Sequence, residues 1–599
     1  MIKKILEKLS QLVEALSRYP LTVIFLVAAA IINAMSINQN VDYSKWLLTF
    51  LMGGFLGMTL QVFWERFFNT RLSWFLTMGM ALILTLGYFL LVEDKTTIGV
   101  EIEVRTGVIL LILLVAYIWV PVIKSELSFN ESFMASFKAF FMTALFAGVL
   151  FLGCVVIITA IDQLLWAVSD KAFIHTLNVI GFLFAPVYFL SLGPVYPGAS
   201  DKNRSSEKLK HNRKKLENAC SCPKFLEILI SYILIPLIFM YTVILIVYII
   251  KNITGSFWTD NLLEPMLIGF AVTVILIYIL ASNFENKFAV WFRKVFPKLL
   301  IPIVLFQIAA SVLKIQDTGI TYSRYYVIIF GIFAAISGVV MSVNGVRKNG
   351  IIAAVLIGIL LFSLIPPVDA FTISRTNQID RLTNVLGRNG MLQTGDVVVA
   401  NTSLSERDQK IIAETVDYLV MMEYSKNIPY LGENFDIDRD FYNTFGFYYD
   451  EKSNRLKDSV FLNLDRQEPI DISNYDTLVE IDFYEQDQKI ESDISYFKIN
   501  GKKYTLSWDK TADFKILKLT DETNQDLIQI NMKEVFDYYN TVATENSQLN
   551  KTALTANEAT FIKENNEATI ALVAKNLNIE KSDQVNGGNG SFYVLIKIR

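Results

Sequence analysis

The sequence predicts a polytopic α-helical membrane protein of about eleven transmembrane helices, followed by a C-terminal soluble α+β domain with a β-rich end. Three observations predict it. The 599 residues are 53% hydrophobic, 13% aromatic and only 19% charged, with a mean hydropathy of +0.40, too apolar for a soluble chain of this length. From Pro20 to Pro367 apolar blocks of roughly 15 to 27 residues recur, the length a helix needs to cross about 30 Å of hydrocarbon. After Phe371 no such block appears, charges become frequent and apolar runs shorten to strand length. Four segments follow: an amphipathic cytoplasmic segment 1–18, a transmembrane domain 19–367, an α-rich neck 368–458 and a β-rich domain 459–599.

In the first segment Ile5, Leu9, Leu12, Val13 and Leu16 follow helical spacing with Lys3, Lys4 and Lys8 opposite, the pattern of a helix lying on a membrane surface. The predicted spans are Leu21–Ile37, Trp46–Trp64, Trp74–Val92, Gly107–Val122, Phe140–Ile161, Leu177–Leu192, Phe225–Ile250, Met266–Ala281, Leu299–Leu313, Tyr326–Met341 and Ile351–Ile365, many with Trp or Tyr at an end. Numbered alternately from a cytoplasmic N-terminus, the inside loops hold Lys3–Arg18, Arg66–Arg71, Lys124–Lys138, Lys202–Lys224, Lys287–Lys298 and Arg347–Lys348. The outside loops hold only Lys45, Lys95, Arg105, Lys171, Lys251, Lys314 and Arg324. Positive loops stay in the cytoplasm, so this bias sets the N-terminus inside and, by odd parity, the C-terminal domain outside. The basic run SEKLKHNRKK within loop 202–215 is then a topological anchor, able also to attract anionic lipid headgroups.

The net charge is -4 and the tail is acidic, which excludes nucleic acid as its partner because phosphate binding requires a positive surface. The cysteines are Cys154, Cys220 and Cys222, none in the tail, which excludes a disulfide framework there. From Phe371 to Tyr424 the pattern is helical, with Ile379, Leu382, Val385 and Leu386 on one face and Ile411, Ile412, Val416, Leu419 and Val420 on the next. Strands are predicted at SVFLNL, TLVEIDFY, ISYFKI, KKYTLSW, FKILKLT and SFYVLIKI, with an Asn500-Gly501 hairpin signal. Helices are expected around Asn531–Asn540 and Thr555–Asn576, and a flexible turn at Asn586–Gly590.

Chemistry-bearing motifs are absent: no phosphate-binding lysine loop, GxSxG, HExxH or GxGxxG is present, and His175 and His211 are the only histidines. No catalytic residue, metal site or cofactor is implied. Within the spans Asn178 and Gln307 are the notable polar residues, read first as helix–helix hydrogen bonds. Pro186, Pro236 and Pro302 are expected to kink their helices, and Gly53-x-x-x-Gly57 fits close helix packing. One outer-face constellation stands out, Gly319–Tyr326 before the tenth span and Pro366–Leu382 after the eleventh. Arg324 there opposes both the helix dipole and the positive-inside bias, so a partner carboxylate is expected from Asp317, Asp369 or Asp380.

Gly319, Thr321, Arg324 and Tyr325, together with Ser374, Gln378, Arg381 and Leu382, resemble the two signature motifs of the bacterial membrane family of domain of unknown function 4153. The first is Gly-hydrophobic-Thr-x-x-Arg-Tyr before one helix, the second Ser-x-x-x-Gln-x-x-Arg-Leu after the last. Phe225–Lys251 is similar to the family's Pro-Leu-containing helix, while Tyr322 and Pro366 depart from the acidic residue and glycine expected at their positions. The resemblance spans roughly Tyr19 to Gly390 and implies a fold without assigning an activity. Thr321, Arg324, Tyr325, Ser374, Gln378 and Arg381 are therefore candidates for a neck clamp or a ligand site. The expected role is a non-enzymatic protein of the bacterial plasma membrane whose extracytoplasmic domain senses a ligand or binds an unknown envelope partner. The alternative is a permease for a lipid or small solute.

Overall fold

The computed structural model describes all residues except 1, 40, 94–97, 204–205, 253–262, 394–395, 398–403, 429, 432–434, 448–458, 466–467, 485–492, 511–514, 548–552 and 581–586. Lys95 and Asn586, named above in a loop and a turn, and Phe514, which opens the predicted FKILKLT strand, lie outside the described residues. The chain divides into two units, Met1–Ile437 and Asp438–Arg599.

In the first unit every predicted span falls on a helix. The amphipathic α1 (Ile2–Arg18) leads into α2 (Pro20–Gln39), α3 (Ser44–Phe67), α4 (Arg71–Glu93), α5 (Val100–Trp119) and α6 (Phe129–Leu164). Next come α7 (Lys171–Val179) and α8 (Ala185–Leu192), then the basic α9 (Ser206–Cys220), α10 (Lys224–Ile228) and α11 (Ile235–Asn252). The bundle closes with α12 (Leu263–Leu280), α13 (Lys287–Thr318), α14 (Tyr322–Val343) and α15 (Gly350–Phe362). Nine helical stretches among the described residues are long and apolar enough to cross a membrane.

The other two predicted spans are shorter, yet each runs from one end of the bundle to the other. Gly350 at the start of α15 lies against Trp119 at the end of α5, while the Leu364 carbonyl beyond its other end takes a hydrogen bond from Arg105 near the start of α5. Glu264 in the first turn of α12 accepts from Ser311 near the end of α13, and Tyr278 in its last turn donates to the Met341 carbonyl near the end of α14. The 13 residues of α15 rise about 20 Å, less than a bilayer core, and the turns through Val368 complete the path.

Two expectations change in detail. The loops expected at Lys124–Lys138 and Lys287–Lys298 are largely helical, because α6 and α13 extend past the hydrocarbon length by 1.5 Å per residue into polar sequence that hydropathy does not register. The basic loop carries the 15-residue helix α9.

Pro186 and Pro236 do interrupt their helices, in the same way. Each follows a π turn, Ile180–Phe184 and Leu229–Leu234, closed by Ala185 N–H to Ile180 O and Ile235 N–H to Ile230 O. Proline lacks a donor and collides with the carbonyl four residues back, and the wider turn relieves that collision. Pro302 instead lies within the continuous α13. Gly53 and Gly57 pack against Phe25 and Thr22, where a Cβ would stand 2.7 and 2.8 Å from side-chain atoms, so α2 and α3 meet as the GxxxG spacing expects.

The neck begins with α16 (Ala370–Arg388), continues through the small hairpin β1 (Leu392–Gln393) and β2 (Asp396–Val397) and reaches α17 (Glu406–Met421). Leu382, Val385 and Leu386 of α16 and Ile412, Val416 and Leu419 of α17 are buried, the faces their spacing predicts.

At the boundary α18 (Ile437–Phe445) opens the second unit. It holds β3 (Ser459–Leu464), β4 (Thr477–Tyr484), β5 (Asp493–Ile499), β6 (Lys502–Lys510), β7 (Lys515–Thr520), β8 (Asp526–Asn531), α19 (Met532–Ser547), β9 (Ala553–Leu554), β10 (Thr560–Glu564), β11 (Ala568–Glu580) and β12 (Gly587–Ile598). One sheet runs β4-β12-β11-β3-β9 with β10 also on β11; the other is the antiparallel meander β5-β6-β7-β8. Asn500 and Gly501, at φ 50 and 84, make the expected two-residue hairpin turn between Ile499 and Lys502.

Two tail expectations are corrected. Thr555–Asn576 is not a helix but turns and strands β10 and β11. Ala568 to Ala574 is buried at every residue, so the run lacks the alternation that marks a half-exposed strand and its alanines read as helix. Gly587–Gly590 is not a flexible turn but the start of β12, paired with β11 from Glu580 to Leu577. A Cβ on Gly588 would sit 2.1 Å from the Asn578 carbonyl oxygen, which is why glycine stands there.

Candidate functional site

The two motif-bearing stretches, far apart in sequence, fold into one junction at the neck end of the helical unit. Gly319 terminates α13 at φ 71 and ψ -177, a backbone conformation that is nearly glycine-only. Thr321 then caps α14, its hydroxyl accepting from the Arg324 N–H at 3.3 Å. On the other side Asp369 caps α16, accepting from the N–H groups of Phe371 and Thr372, each at 3.1 Å.

Side chains of α16 hold the α13–α14 turn by its backbone. Asn377 Oδ1 accepts from Ile320 N–H at 2.7 Å, and Gln378 Nε2 donates to the carbonyls of Thr318 and Ile320 at 3.1 and 3.3 Å. Arg381 donates to the Asp317 carbonyl and stands 4.0 Å from the Glu414 carboxylate of α17. Tyr325 donates to the Val368 carbonyl at 2.6 Å, and Tyr322 N–H donates to the Tyr418 hydroxyl at 3.0 Å while its ring stacks on Phe371. Ser374, fully buried, donates to the Phe371 carbonyl at 3.2 Å. Thus Thr321, Tyr325, Ser374, Gln378 and Arg381 come together.

Arg324 does not join them. Its Nε and Nη1 are buried without a hydrogen-bond partner among the described residues, and the carboxylate acting on its charge is Glu264 of α12. None of the expected partners reaches it: Asp317 contributes its carbonyl to Arg381, and Asp369 is taken by a residue that the sequence reading counts only among the outside-loop basic residues.

That residue is Arg105. Its Nη2 lies 2.6 Å from Asp369 Oδ1, its Nε 2.9 Å from Glu101 Oε1, its Nη1 3.1 Å from the Leu364 carbonyl, and its guanidinium rests 4.9 Å above the Phe371 ring. Asp369 is fully buried, and burial alone would raise its pKa. Hydrogen bonds from Thr372 and Phe371, with the Arg105 charge, outweigh that and hold the carboxyl below its ordinary value of 3.8. The i,i+4 pair Glu101 and Arg105 was the available sequence signal.

Beside this knot lies a cavity of about 460 Å³ between the neck-end termini of α4 and α5 and the neck. Arg375 of α16 enters it with its guanidinium 5.6 Å from the Tyr424 ring. Tyr424 donates to Glu101 Oε2 at 3.3 Å, and burial, reinforced by the Glu101 charge, pushes its phenol well above the ordinary range.

The opposite end gathers the basic residues. Arg18 binds Glu65 through two bonds of 2.9 and 2.7 Å and the carbonyls of Gly193 and Pro194 at 3.2 Å, and Arg66 donates to the carbonyls of Ile123, Lys124 and Pro197. Lys215 of α9 pairs with Glu14 of α1 at 2.9 Å. A wider cavity of about 1190 Å³ opens there, with Met134, Leu280 and Phe284 below and Arg213, Glu217 and Cys220 of α9 at one side. Among the described residues no group of three His, Cys, Asp or Glu is placed to hold a metal ion.

Within the bundle the two polar candidates part. Asn178 accepts from Asn33 Nδ2 and donates to the Ala30 carbonyl, both at 2.9 Å, tying α7 to α2. Gln307 on α13 is 1% exposed, and neither its amide nitrogen nor its oxygen has a partner among the described residues.

The family model described as "Domain of unknown function (DUF4153)" matches residues 21–395, which includes both motif-bearing stretches of the junction but not Glu414 and Tyr418 of α17. No curated protein and no solved structure shows significant similarity to the chain.

Proposed function

From the premise that this chain belongs to the DUF4153 family of membrane proteins, we propose that it is a non-enzymatic protein of the bacterial plasma membrane. Its helical unit anchors an extracytoplasmic neck and β-rich domain that sense a ligand or bind an envelope partner. The observation that carries this reading is the junction itself: Asn377, Gln378 and Arg381 grip the backbone of residues 317–320, so the neck is fastened to the membrane helices rather than tethered. Sidedness rests on the basic residues. Arg18, Arg66, Lys138, Lys215 and Arg293 gather at one end of the bundle, which the positive-inside bias assigns to the cytoplasm, where α9 also meets anionic headgroups. Counting α12 and α15 with the nine longer helices gives eleven crossings, an odd parity that from a cytoplasmic N-terminus assigns the neck and the α13–α14 turn it grips to the outside.

The test is thiol accessibility in intact cells, in a chain whose three native cysteines are replaced. An impermeant reagent is expected to label Glu522→Cys in the β-rich domain and Val41→Cys at the neck end, and to label Lys348→Cys only after lysis. Labelling of Glu522→Cys only after lysis would overturn the extracytoplasmic assignment. Deleting residues 438–599 should abolish function; full activity of the truncated chain would refute the display role.

A permease is the second reading, favoured by Gln307, an unpartnered amide in the bundle interior, and by the two proline-linked π turns. Saturable solute or lipid movement in proteoliposomes, lost in Gln307→Leu, would establish it.

A further inference from the structure

We infer that the neck-end cavity binds the phosphate-bearing headgroup of an anionic membrane lipid, with Arg375 as its principal contact. The two arginines at this cavity differ in what they have left to bind. Arg105 is saturated by Glu101, Asp369 and the Leu364 carbonyl. Arg375 has no hydrogen-bond or ion-pair partner among the described residues; it is half-buried and oriented by stacking on Tyr424. Glu423, exposed at the rim, makes no ion pair with it. A planar guanidinium held by an aromatic face and lacking a carboxylate is suited to a phosphate, whose oxygens match its fork of donors.

The rest of the cavity selects an amphiphile over a soluble anion. Its opposite wall is apolar, formed by Ile102 and Ile109 of α5 and by Leu91 of α4, which is 76% exposed. Leu84, Tyr88 and Leu91 share one face of α4 by helical spacing, and Leu84 is also exposed, so the wall continues down a surface that meets acyl chains. Tyr88, fixed by a 2.7 Å hydrogen bond to Thr106, lies where a headgroup gives way to hydrocarbon. A volume of about 460 Å³ is in the range of small-ligand sites and admits a glycerophosphate headgroup. A bound lipid would bridge α4 and α5 to α16, so its occupancy would report on the seating of the neck. The inference does not depend on which side of the membrane the neck faces.

The test is native mass spectrometry of the full chain in neutral detergent, titrated with phosphatidylglycerol or phosphatidylcholine, with inorganic phosphate as competitor. The parent is expected to retain one phosphatidylglycerol and to prefer it over phosphatidylcholine. Arg375→Gln should weaken retention about ten- to a hundred-fold, the loss expected for a charge-assisted contact. Arg375→Lys should retain lipid at intermediate affinity, and Lys348→Gln at the far end should match the parent. Retention by Arg375→Gln equal to the parent would overturn the site, and equal retention of phosphatidylcholine would overturn its preference for anionic lipid. Displacement of the lipid by millimolar inorganic phosphate would assign the site to a soluble phosphate-bearing ligand and overturn the lipid source. Thermal unfolding of each variant confirms that the fold survives, and Arg375→Lys alone decides the matter if Arg375→Gln does not fold.

Discussion

Arg105 and Asp369, 264 residues apart in sequence, meet at 2.6 Å, and the carboxylate of the pair is fully buried. Arg105→Leu leaves the buried Asp369 carboxylate without its cation and should destabilise the helical unit by about 3–5 kcal/mol, whereas Asp369→Ala leaves Arg105 its Glu101 partner and should cost less. The double variant should lose less than the sum, because it removes both charges. A double-mutant cycle of thermal unfolding in detergent measures the coupling; strict additivity would mean that the pair contributes nothing as a pair.

Acid should loosen the same junction. Asp369 is held below its ordinary pKa of 3.8 despite burial, by Thr372, Arg105 and Phe371. Asp408, in the first turn of α17, is likewise lowered, by Asn389 first and also by Arg388. A carboxylate with a depressed folded-state pKa contributes stability that is complete above its unfolded value and is lost as pH falls through the folded one. Unfolding temperature should therefore be insensitive to these groups at neutral pH and fall below about pH 4. Asp369→Asn should show a shallower acid limb, and an unchanged limb would remove Asp369 from the explanation.

Gly319 is the least replaceable residue of the turn. A Cβ there would lie 2.6 Å from Gln378 Nε2 and 3.0 Å from Asn377 Oδ1, on a backbone that other residues rarely adopt. Gly319→Ala should cost about 1–3 kcal/mol and increase proteolysis of the neck. Adding Gln378→Ala would remove the closest collision but neither the Asn377 contact nor the backbone strain, so only part of the loss should return. Complete recovery would show that the conformation at residue 319 is not strained.

The sequence made the helices legible because hydrocarbon thickness imposes a length on apolar runs, and the strands around Asn500-Gly501 because the turn chemistry is local. It failed where a pattern is erased by burial on both faces, as at Ala568–Ala574, and where close backbone approach rather than flexibility calls for glycine, as at Gly588. The junction was half legible. Gly319, Gln378 and Arg381 could be read as a group, and Asp369 as one of three candidate carboxylates for Arg324. The pairing itself was misassigned to Arg324, since no local period encodes a contact across 264 residues. Arg375, one turn before Gln378 and Ile379, carried no signal of its own; only the fold puts it into a cavity, where no ion-pair partner stands among the described residues.

In the β-rich domain Gly588 offers a stringent test of close packing. Its position faces the Asn578 carbonyl at 2.1 Å from a would-be Cβ and the Phe536 ring at 3.0 Å, so Gly588→Val must push β12 from β11 or displace α19. Overpacking of this kind costs typically about 1–3 kcal/mol. The expected result in the full chain is faster proteolysis within residues 438–599 with the helical unit unaffected. Equal protease resistance of the variant would show that the strands part at Gly588 without loss.

Gln307 sets stability against function in one substitution. With both amide atoms buried and unpartnered among the described residues, it carries a desolvation cost of roughly 1–3 kcal/mol per group that a hydrogen bond would offset. Leucine fills a similar volume without that cost, so Gln307→Leu should raise the unfolding temperature of the chain in detergent. A residue kept against stability inside a bundle is expected to serve something that binds there, and the same variant then loses transport in proteoliposomes. If the unfolding temperature falls instead, the amide has a partner such as an ordered water, and Gln307 belongs with Asn178 as a helix–helix contact. If it rises and activity persists, the polar group is idle and the permease reading loses its best support.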